Sequence, residues 1–172
     1  MFDFIFYKKY KNFKSDYGKT RTISLLKENI YSDFLVLTSI ESIRGYISDK
    51  RLRISRGKPF VQNSFKPFYY GKILEDDDGK AIINGFYAMH LFVRIFCTVW
   101  FGCVALVAFV FAGYLIYLYL TEGIFHIIEL APFLFIFFLF YCGYLLVYFG
   151  QKISKNDISF LNQFMENTLK KS

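Results

Sequence analysis

Two long stretches without a charged residue dominate this sequence. The first runs from Ile95 to Leu120 over 26 residues, and the second runs from Leu130 to Gly150 over 21 residues. A helix needs about 20 mainly apolar residues to cross the hydrocarbon core of a bilayer. Because only the nine residues 121–129 separate the stretches, the sequence predicts a two-helix transmembrane hairpin. Its parts are a first helix at 91–120, an external loop at 121–129 and a second helix at 130–150.

The charges that flank the two stretches predict their orientation. The connecting loop contains two glutamates and a histidine but no lysine or arginine. At the outer ends of the two stretches, Lys80 and Arg94 precede the first stretch, and Lys152 and Lys155 follow the second. Cytoplasmic flanks of transmembrane helices carry an excess of Lys and Arg. We therefore expect both termini in the cytoplasm and the short loop outside.

Four segments ahead of the first stretch alternate between apolar and polar residues, which is typical of strands. They are Ser42–Ser48, Arg51–Arg56, Phe68–Leu74 and Ala81–Tyr87. Asp49-Lys50 is suited to a two-residue turn, and Gly79 supplies the positive φ that the second turn needs. The sequence therefore predicts a small four-stranded antiparallel sheet in a cytosolic N-terminal domain, residues 1–90.

The sequence predicts one helix before these strands and another at the C-terminus, after the second apolar stretch. Thr22–Tyr31 has the pattern of a short helix, and Phe34–Leu37 is either a further strand or buried support. Within the C-terminal segment 151–172, apolar residues recur at helical spacing after Asn156, a suitable N-cap. This amphipathic helix lies on the inner leaflet or packs on the sheet. The sheet is favoured because the polar face of the helix is not strongly basic. The fold class is therefore an α+β membrane protein.

The net charge of +7 includes one concentrated basic segment. Arg51, Arg53, Arg56 and Lys58 lie within eight residues of one another. Such a group can bind phosphate or lipid headgroups, and each Lys or Arg near an anionic leaflet contributes about 1 kcal/mol. The alternative is an exposed strand face without any ligand. The expected partners are the lipid bilayer and its anionic headgroups, with a membrane-protein partner or a second copy of the chain also open. No nucleic acid is expected.

One polar cluster in the loop has residue types that are suited to chemistry. Glu122, His126 and Glu129 would share one side of a helical turn, where they could hold a metal or relay a proton. The alternative is an ordinary polar loop at a membrane surface, which the composition favours. The sequence contains no zinc spacing, no nucleotide-binding glycine motif and no nucleophile elbow. We therefore assign no cofactor, no metal and no catalytic residue.

Several short motifs between residues 40 and 105 resemble a group of uncharacterised bacterial membrane proteins. The motifs are Arg44-Gly45-Tyr46 through Arg53-Ile54, Asn63-Ser64-Phe65-Lys66-Pro67, Tyr70-Gly71-Lys72-Ile73 and Phe92-Val93-Arg94 to Trp100. In that group a small cytosolic sheet domain is followed by one or two transmembrane spans. The resemblance implies a bacterial inner-membrane protein, and it brings no known activity.

Three classes of function follow from these patterns. The favoured class is a non-catalytic interaction or regulatory protein, in which the sheet domain meets a partner or the anionic leaflet. The second is an oligomeric transport or channel component, although no charge lies deep in either stretch to mark an ion path. The third is a membrane-bound hydrolase that uses His126 and its two glutamates.

Overall fold

The computed structural model describes residues 8–31, 41–59, 63–122 and 131–170. The chain divides into two compact units. The first unit combines Met1–His90 with Gly150–Ser172, so both ends of the chain contribute to it. The second unit is Leu91–Phe149. We call the first the sheet domain and the second the helical hairpin.

The described residues form five strands and four helices. In chain order they are β1 (Lys9–Gly18), α1 (Lys19–Asn29), β2 (Ser42–Ile47), β3 (Arg51–Gly57), β4 (Pro67–Glu75), β5 (Lys80–Met89), α2 (Leu91–Glu122), α3 (Ala131–Ile153) and α4 (Asp157–Leu169). The strands form one sheet in the order β1-β5-β4-β3-β2. Every neighbouring pair is antiparallel. The four predicted strands are confirmed, as is the positive φ of Gly79, at 72°.

The fifth strand, β1, corrects the predicted sheet of four. It pairs with β5 from Lys9 opposite Tyr87 to Lys14 opposite Ile82. As an edge strand it satisfies its backbone on one side only, and Phe13 is its one deeply buried apolar side chain. A strand that buries so little has weak apolar alternation, which is why the pattern did not reveal it.

Helices α1 and α4 cover one face of the sheet, and the hydrophobic core lies between this face and the two helices. Leu26 of α1 and Leu161 and Met165 of α4 are fully buried against this face. From the sheet, Tyr69 donates a hydrogen bond to the Lys11 carbonyl at 3.0 Å, and Tyr87 donates to the Asn162 side chain at 2.8 Å. The C-terminal helix therefore packs on the sheet, as the sequence favoured. Phe34–Leu37 lie outside the described residues.

Within the helical hairpin, α2 and α3 contact each other along a narrow stripe. On α2 the stripe contains residues spaced alternately by three and four, namely Phe101, Val104, Ala108, Phe111 and Leu115. The rings of Phe101 and Phe140 lie 5.1 Å apart, and those of Phe111 and Phe133 lie 5.4 Å apart. From Phe101 to Phe111 along α2, the partner ring moves back along α3 from Phe140 to Phe133, so the helices are antiparallel. The spacing is that of knobs-into-holes packing.

Most of the hairpin surface is apolar and exposed. Phe109 is 80% exposed and Leu134 is 72% exposed, and many other large apolar side chains on the two helices are exposed as well. Soluble proteins rarely expose contiguous apolar patches of this extent. By length and composition, both helices are long and apolar enough to cross a membrane.

Candidate anion-binding face of the sheet

The face of the sheet opposite α1 and α4 has a different chemistry from the core face, and we call it the open face. Side chains alternate between the two faces along each strand, so the register assigns them. The open-face residues include Tyr10, Asn12, Lys14 and Asp16 of β1, Ile82, Asn84, Phe86 and Ala88 of β5, Phe68, Tyr70, Lys72 and Leu74 of β4, Arg51, Arg53 and Ser55 of β3, and Ser42, Arg44 and Tyr46 of β2. Several are well exposed, including Tyr46 at 65%.

The open face carries an excess of positive charge. Five of the residues just named are basic, namely Lys14, Arg44, Arg51, Arg53 and Lys72, whereas Asp16 is the one carboxylate among them. Two further acidic residues of the domain, Asp157 and Glu166, belong to α4 on the helical side. An excess of positive charge on one surface adds to a local potential that attracts anions.

Aromatic rings run across the middle of the open face. The ring of Phe86 lies 5.8 Å from Tyr10 and 5.6 Å from Tyr70. The ring of Phe68 lies 6.2 Å from Tyr70 and 5.6 Å from His90. The row therefore crosses β1, β5 and β4 and ends beside the residue that precedes α2.

Cations lie over both ends of this aromatic row. The Lys8 ammonium is 5.0 Å from the centre of the Phe86 ring. At the other end, the Arg53 guanidinium carbon is 4.7 Å and the Lys66 ammonium 5.3 Å from the centre of the Phe68 ring. Such cation–π contacts contribute about 0.5–1 kcal/mol each at exposed sites. They hold long basic side chains close to the sheet.

The structure does not bring the four predicted basic residues into one cluster. Arg51 and Arg53 lie on the open face, whereas Arg56 has the opposite parity and lies on the helical face. There Arg56 pairs with Glu41 and with Asp157, the latter at 3.3 Å. Lys58 pairs with Asp157 at 2.9 Å.

These ion pairs attach the start of α4 to the end of β3. The Asp157 side chain is buried, and it forms ion pairs with both Arg56 and Lys58. Arg56 also lies 4.3 Å from the centre of the Phe160 ring, and Lys58 donates a hydrogen bond to the Ile153 carbonyl at 2.6 Å. Arg56 and Lys58 therefore have structural contacts that Arg51 and Arg53 do not share.

The predicted polar cluster of the loop falls mostly outside the described residues. Glu122 is the last residue of α2, and His126 and Glu129 are among the residues that the structure does not describe. Across the described ranges, no group of three His, Cys, Asp or Glu side chains is placed to hold a metal ion.

Sequence reasoning missed the contributions of β2 and β4 to the open face. Arg44 lies opposite Ser55, and Lys72 lies opposite Arg51. The signal was present, because two hairpins of known register place alternate residues on one surface. The sequence drew attention to a run of neighbouring basic residues instead, and neighbours along a strand point to opposite faces.

The pKa of His90 is shifted at the end of the open face that leads to α2. Burial, followed by the nearby Arg53 charge, lowers the pKa of His90. The larger cause is burial, which disfavours the charged imidazolium, and the Arg53 charge adds a smaller effect in the same direction.

Comparisons with known proteins add no assignment to this geometry. No family model, no curated protein and no solved structure matches the chain. The resemblance to bacterial membrane proteins stays a prediction.

Proposed function

We propose that this protein is a two-span membrane protein whose sheet domain binds the anionic surface of the same membrane with its open face. In this proposal it is a non-catalytic interaction or regulatory protein of a bacterial inner membrane. Both termini lie in the cytoplasm, and α2 and α3 cross the bilayer. The observation that carries the proposal is the excess of cations on the open face, where five basic side chains outnumber the single carboxylate of Asp16.

The exposed apolar surface of the helical hairpin supports membrane insertion. Phe109 and Leu134 are examples of large apolar side chains that are mostly exposed in the described protein. Burying such surface in lipid removes it from water at about 25 cal/mol per Å². At 32 residues, α2 is about 48 Å long, which exceeds the hydrocarbon core and allows tilt or projection.

The connection between the two units supports contact with the leaflet. The last strand ends at Met89 and α2 begins at Leu91, so His90 alone joins them. A surface tethered this closely has a high effective concentration at the bilayer, and weak contacts then suffice. Five cations at about 1 kcal/mol each match this requirement.

A fluorophore at Lys72, on the open face, tests the proposal. The three native cysteines are replaced by alanine, and Lys72→Cys is labelled with an environment-sensitive dye. The labelled full-length chain is then placed in nanodiscs of phosphatidylcholine with or without phosphatidylglycerol. We expect a blue shift and brighter emission with phosphatidylglycerol, and reversal at about 0.5 M salt because the Debye length shortens.

The matched control is Lys27→Cys on α1. Lys27 is also an exposed lysine, but it lies on the helical side of the domain. Its emission is expected to be the same in both lipid compositions. Equal emission of the Lys72 label in both compositions, or an equal shift at both positions, contradicts the proposal.

A further inference from the structure

We infer that the open face contains a binding site for a phosphoryl group, formed by Ser42, Arg53 and Ser55 with Arg44 and Lys66 beside them. The inference rests on the proposed function and deepens it, since it names the chemical group that the sheet domain recognises. A phospholipid headgroup and a soluble phosphate ester share this group.

Three polar groups on β2 and β3 are buried without a hydrogen-bond partner among the described residues. They are the hydroxyl oxygens of Ser42 and Ser55 and the Nε of Arg53. Ser55 is 0% exposed and Ser42 is 9% exposed. An unsatisfied buried polar group costs about 1–3 kcal/mol. Three on one small surface are therefore better explained by a ligand than by chance.

The register brings these groups close together. Arg44 lies directly opposite Ser55, and Ser42 lies opposite Gly57. Directly opposed side chains are about 5 Å apart, and alternate positions along a strand are about 7 Å apart. Arg53, Ser55 and Ser42 therefore lie on the same face with Ser55 in the middle, so a phosphoryl group bound over Ser55 has the long Arg53 side chain on one side and Ser42, one diagonal step away on β2, on the other.

Gly57 gives the Arg44 side chain room in this patch. A Cβ atom at Gly57 would come within 2.5 Å of the Arg44 Nε. Arg44 therefore lies over the glycine, next to Ser42. A guanidinium in this position can donate to the same ligand as the two hydroxyls.

Phe68 of β4 flanks Ser55 on the side away from β2. It lies opposite Ser55 in the register of β3 and β4. Its ring holds Arg53 at 4.7 Å and Lys66 at 5.3 Å, and the Lys66 ammonium donates to the Arg56 carbonyl at 3.4 Å. Two cations over one ring favour an anion between them.

The donor set fits a phosphoryl group better than a carboxylate. Two hydroxyls and a guanidinium supply several donors from different directions, which matches the tetrahedral arrangement of phosphate oxygens. The His90 ring lies 5.6 Å from the Phe68 ring, one residue before α2 begins. This position favours a lipid headgroup as the source of the phosphoryl group.

The test measures thermal unfolding of the full chain in a nonionic detergent. Potassium phosphate is compared with potassium chloride at equal ionic strength. A second measurement counts phosphatidic acid and phosphatidylcholine adducts by native mass spectrometry. The variants are Arg53→Gln and the double change Ser42→Ala with Ser55→Ala. The control is Arg51→Gln, because Arg51 has the same charge, strand and face but is exposed.

We expect phosphate to raise the midpoint of unfolding beyond chloride in the wild type. Both site variants should lower the apparent phosphate affinity about tenfold, whereas the control changes it less than about twofold. Adducts of phosphatidic acid that disappear in the site variants identify a lipid source. A phosphate effect without preferential lipid adducts supports the site and assigns it to a soluble phosphate ester.

Two results overturn the inference. One is a wild-type protein that phosphate stabilises no more than chloride does. The other is a loss of phosphate affinity in Arg51→Gln as large as that in Arg53→Gln, because such a result indicates a diffuse attraction of phosphate to the whole face. If the lipid-dependent shift at Lys72 persists in either case, the site is wrong and the proposed function stands. The serine double variant differs from wild type by only two oxygen atoms, so it remains informative if Arg53→Gln does not fold.

Discussion

The guanidinium carbon of Arg53 lies 4.7 Å from the centre of the Phe68 ring, across the β3–β4 pair. The Lys66 ammonium lies 5.3 Å from the same ring. The aromatic ring stabilises both cations without neutralising them, as a carboxylate would. The ring therefore keeps both cations at this end of the open face.

The protonation of His90 should report on an anion at this site. Burial and the Arg53 charge lower its pKa. Below the ordinary pKa of about 6.5, an unfolded chain takes up the proton before the folded chain does. The contribution of His90 to stability is thus complete above that pH and declines as the pH falls. Phosphate bound near Arg53 should raise the pKa of His90.

Nuclear magnetic resonance of the imidazole protons checks this prediction. The His90 signal is assigned by its absence in His90→Gln, and it is titrated with and without phosphate. The Arg53→Gln variant should raise the pKa of His90 in phosphate-free buffer. An unshifted His90 pKa in all three titrations would contradict the prediction.

Neutralising Asp157 should destabilise the attachment of α4. Asp157→Asn leaves Arg56 and Lys58 without the buried carboxylate that pairs with both. Removing one partner of a buried ion pair costs about 3 kcal/mol. Chemical unfolding in detergent measures the loss, with Asp77→Asn at the exposed β4–β5 turn as the control. Equal stability of the two variants would show that the pairs contribute little.

The core contact of α4 should depend on Met165. Its side chain is fully buried, and Met165→Ala is expected to lower the free energy of unfolding by about 3 kcal/mol because it leaves a cavity. Gln163 is exposed on the same helix, and Gln163→Ala should change the free energy of unfolding by less than about 0.5 kcal/mol. A Met165→Ala protein as stable as this control would place α4 away from the sheet.

The helical hairpin contains a natural reporter in Trp100, the only tryptophan of the chain. A Cβ atom at Gly143 would lie 2.9 Å from the Trp100 Nε1. Gly143→Leu should therefore displace the indole and change its emission maximum. Gly113 has open space around it, so Gly113→Leu is the matched control. Identical emission in both variants would mean that Gly143 of α3 does not lie against Trp100 of α2.

Much of the sheet could be predicted because its hairpins are local. The Asp49-Lys50 turn and Gly79 each close two strands whose apolar residues alternate, so register and faces follow from short-range pattern. The docking of α4 followed from its apolar stripe, which includes Leu161 and Met165. The strand β1 escaped this reasoning because its pairing with β5 joins residues about 70 positions apart and buries little.

The candidate site was less accessible from sequence. Ser42 and Ser55 carry no signal by themselves, and only the register places them beside Arg44 and Arg53. The basic run suggested four residues acting together, whereas strand parity separated Arg56 from Arg53. A proposed anion site on a sheet therefore depends on pairing information that a single strand does not contain.

The most direct test of leaflet binding is photocrosslinking in intact cells. A benzophenone amino acid replaces Tyr46 on the open face or, as the control, Gln163 on α4. We predict lipid adducts at position 46 and few or none at position 163, identified by mass spectrometry after purification. Protein adducts alone at position 46, or equal lipid adducts at both positions, would contradict the account.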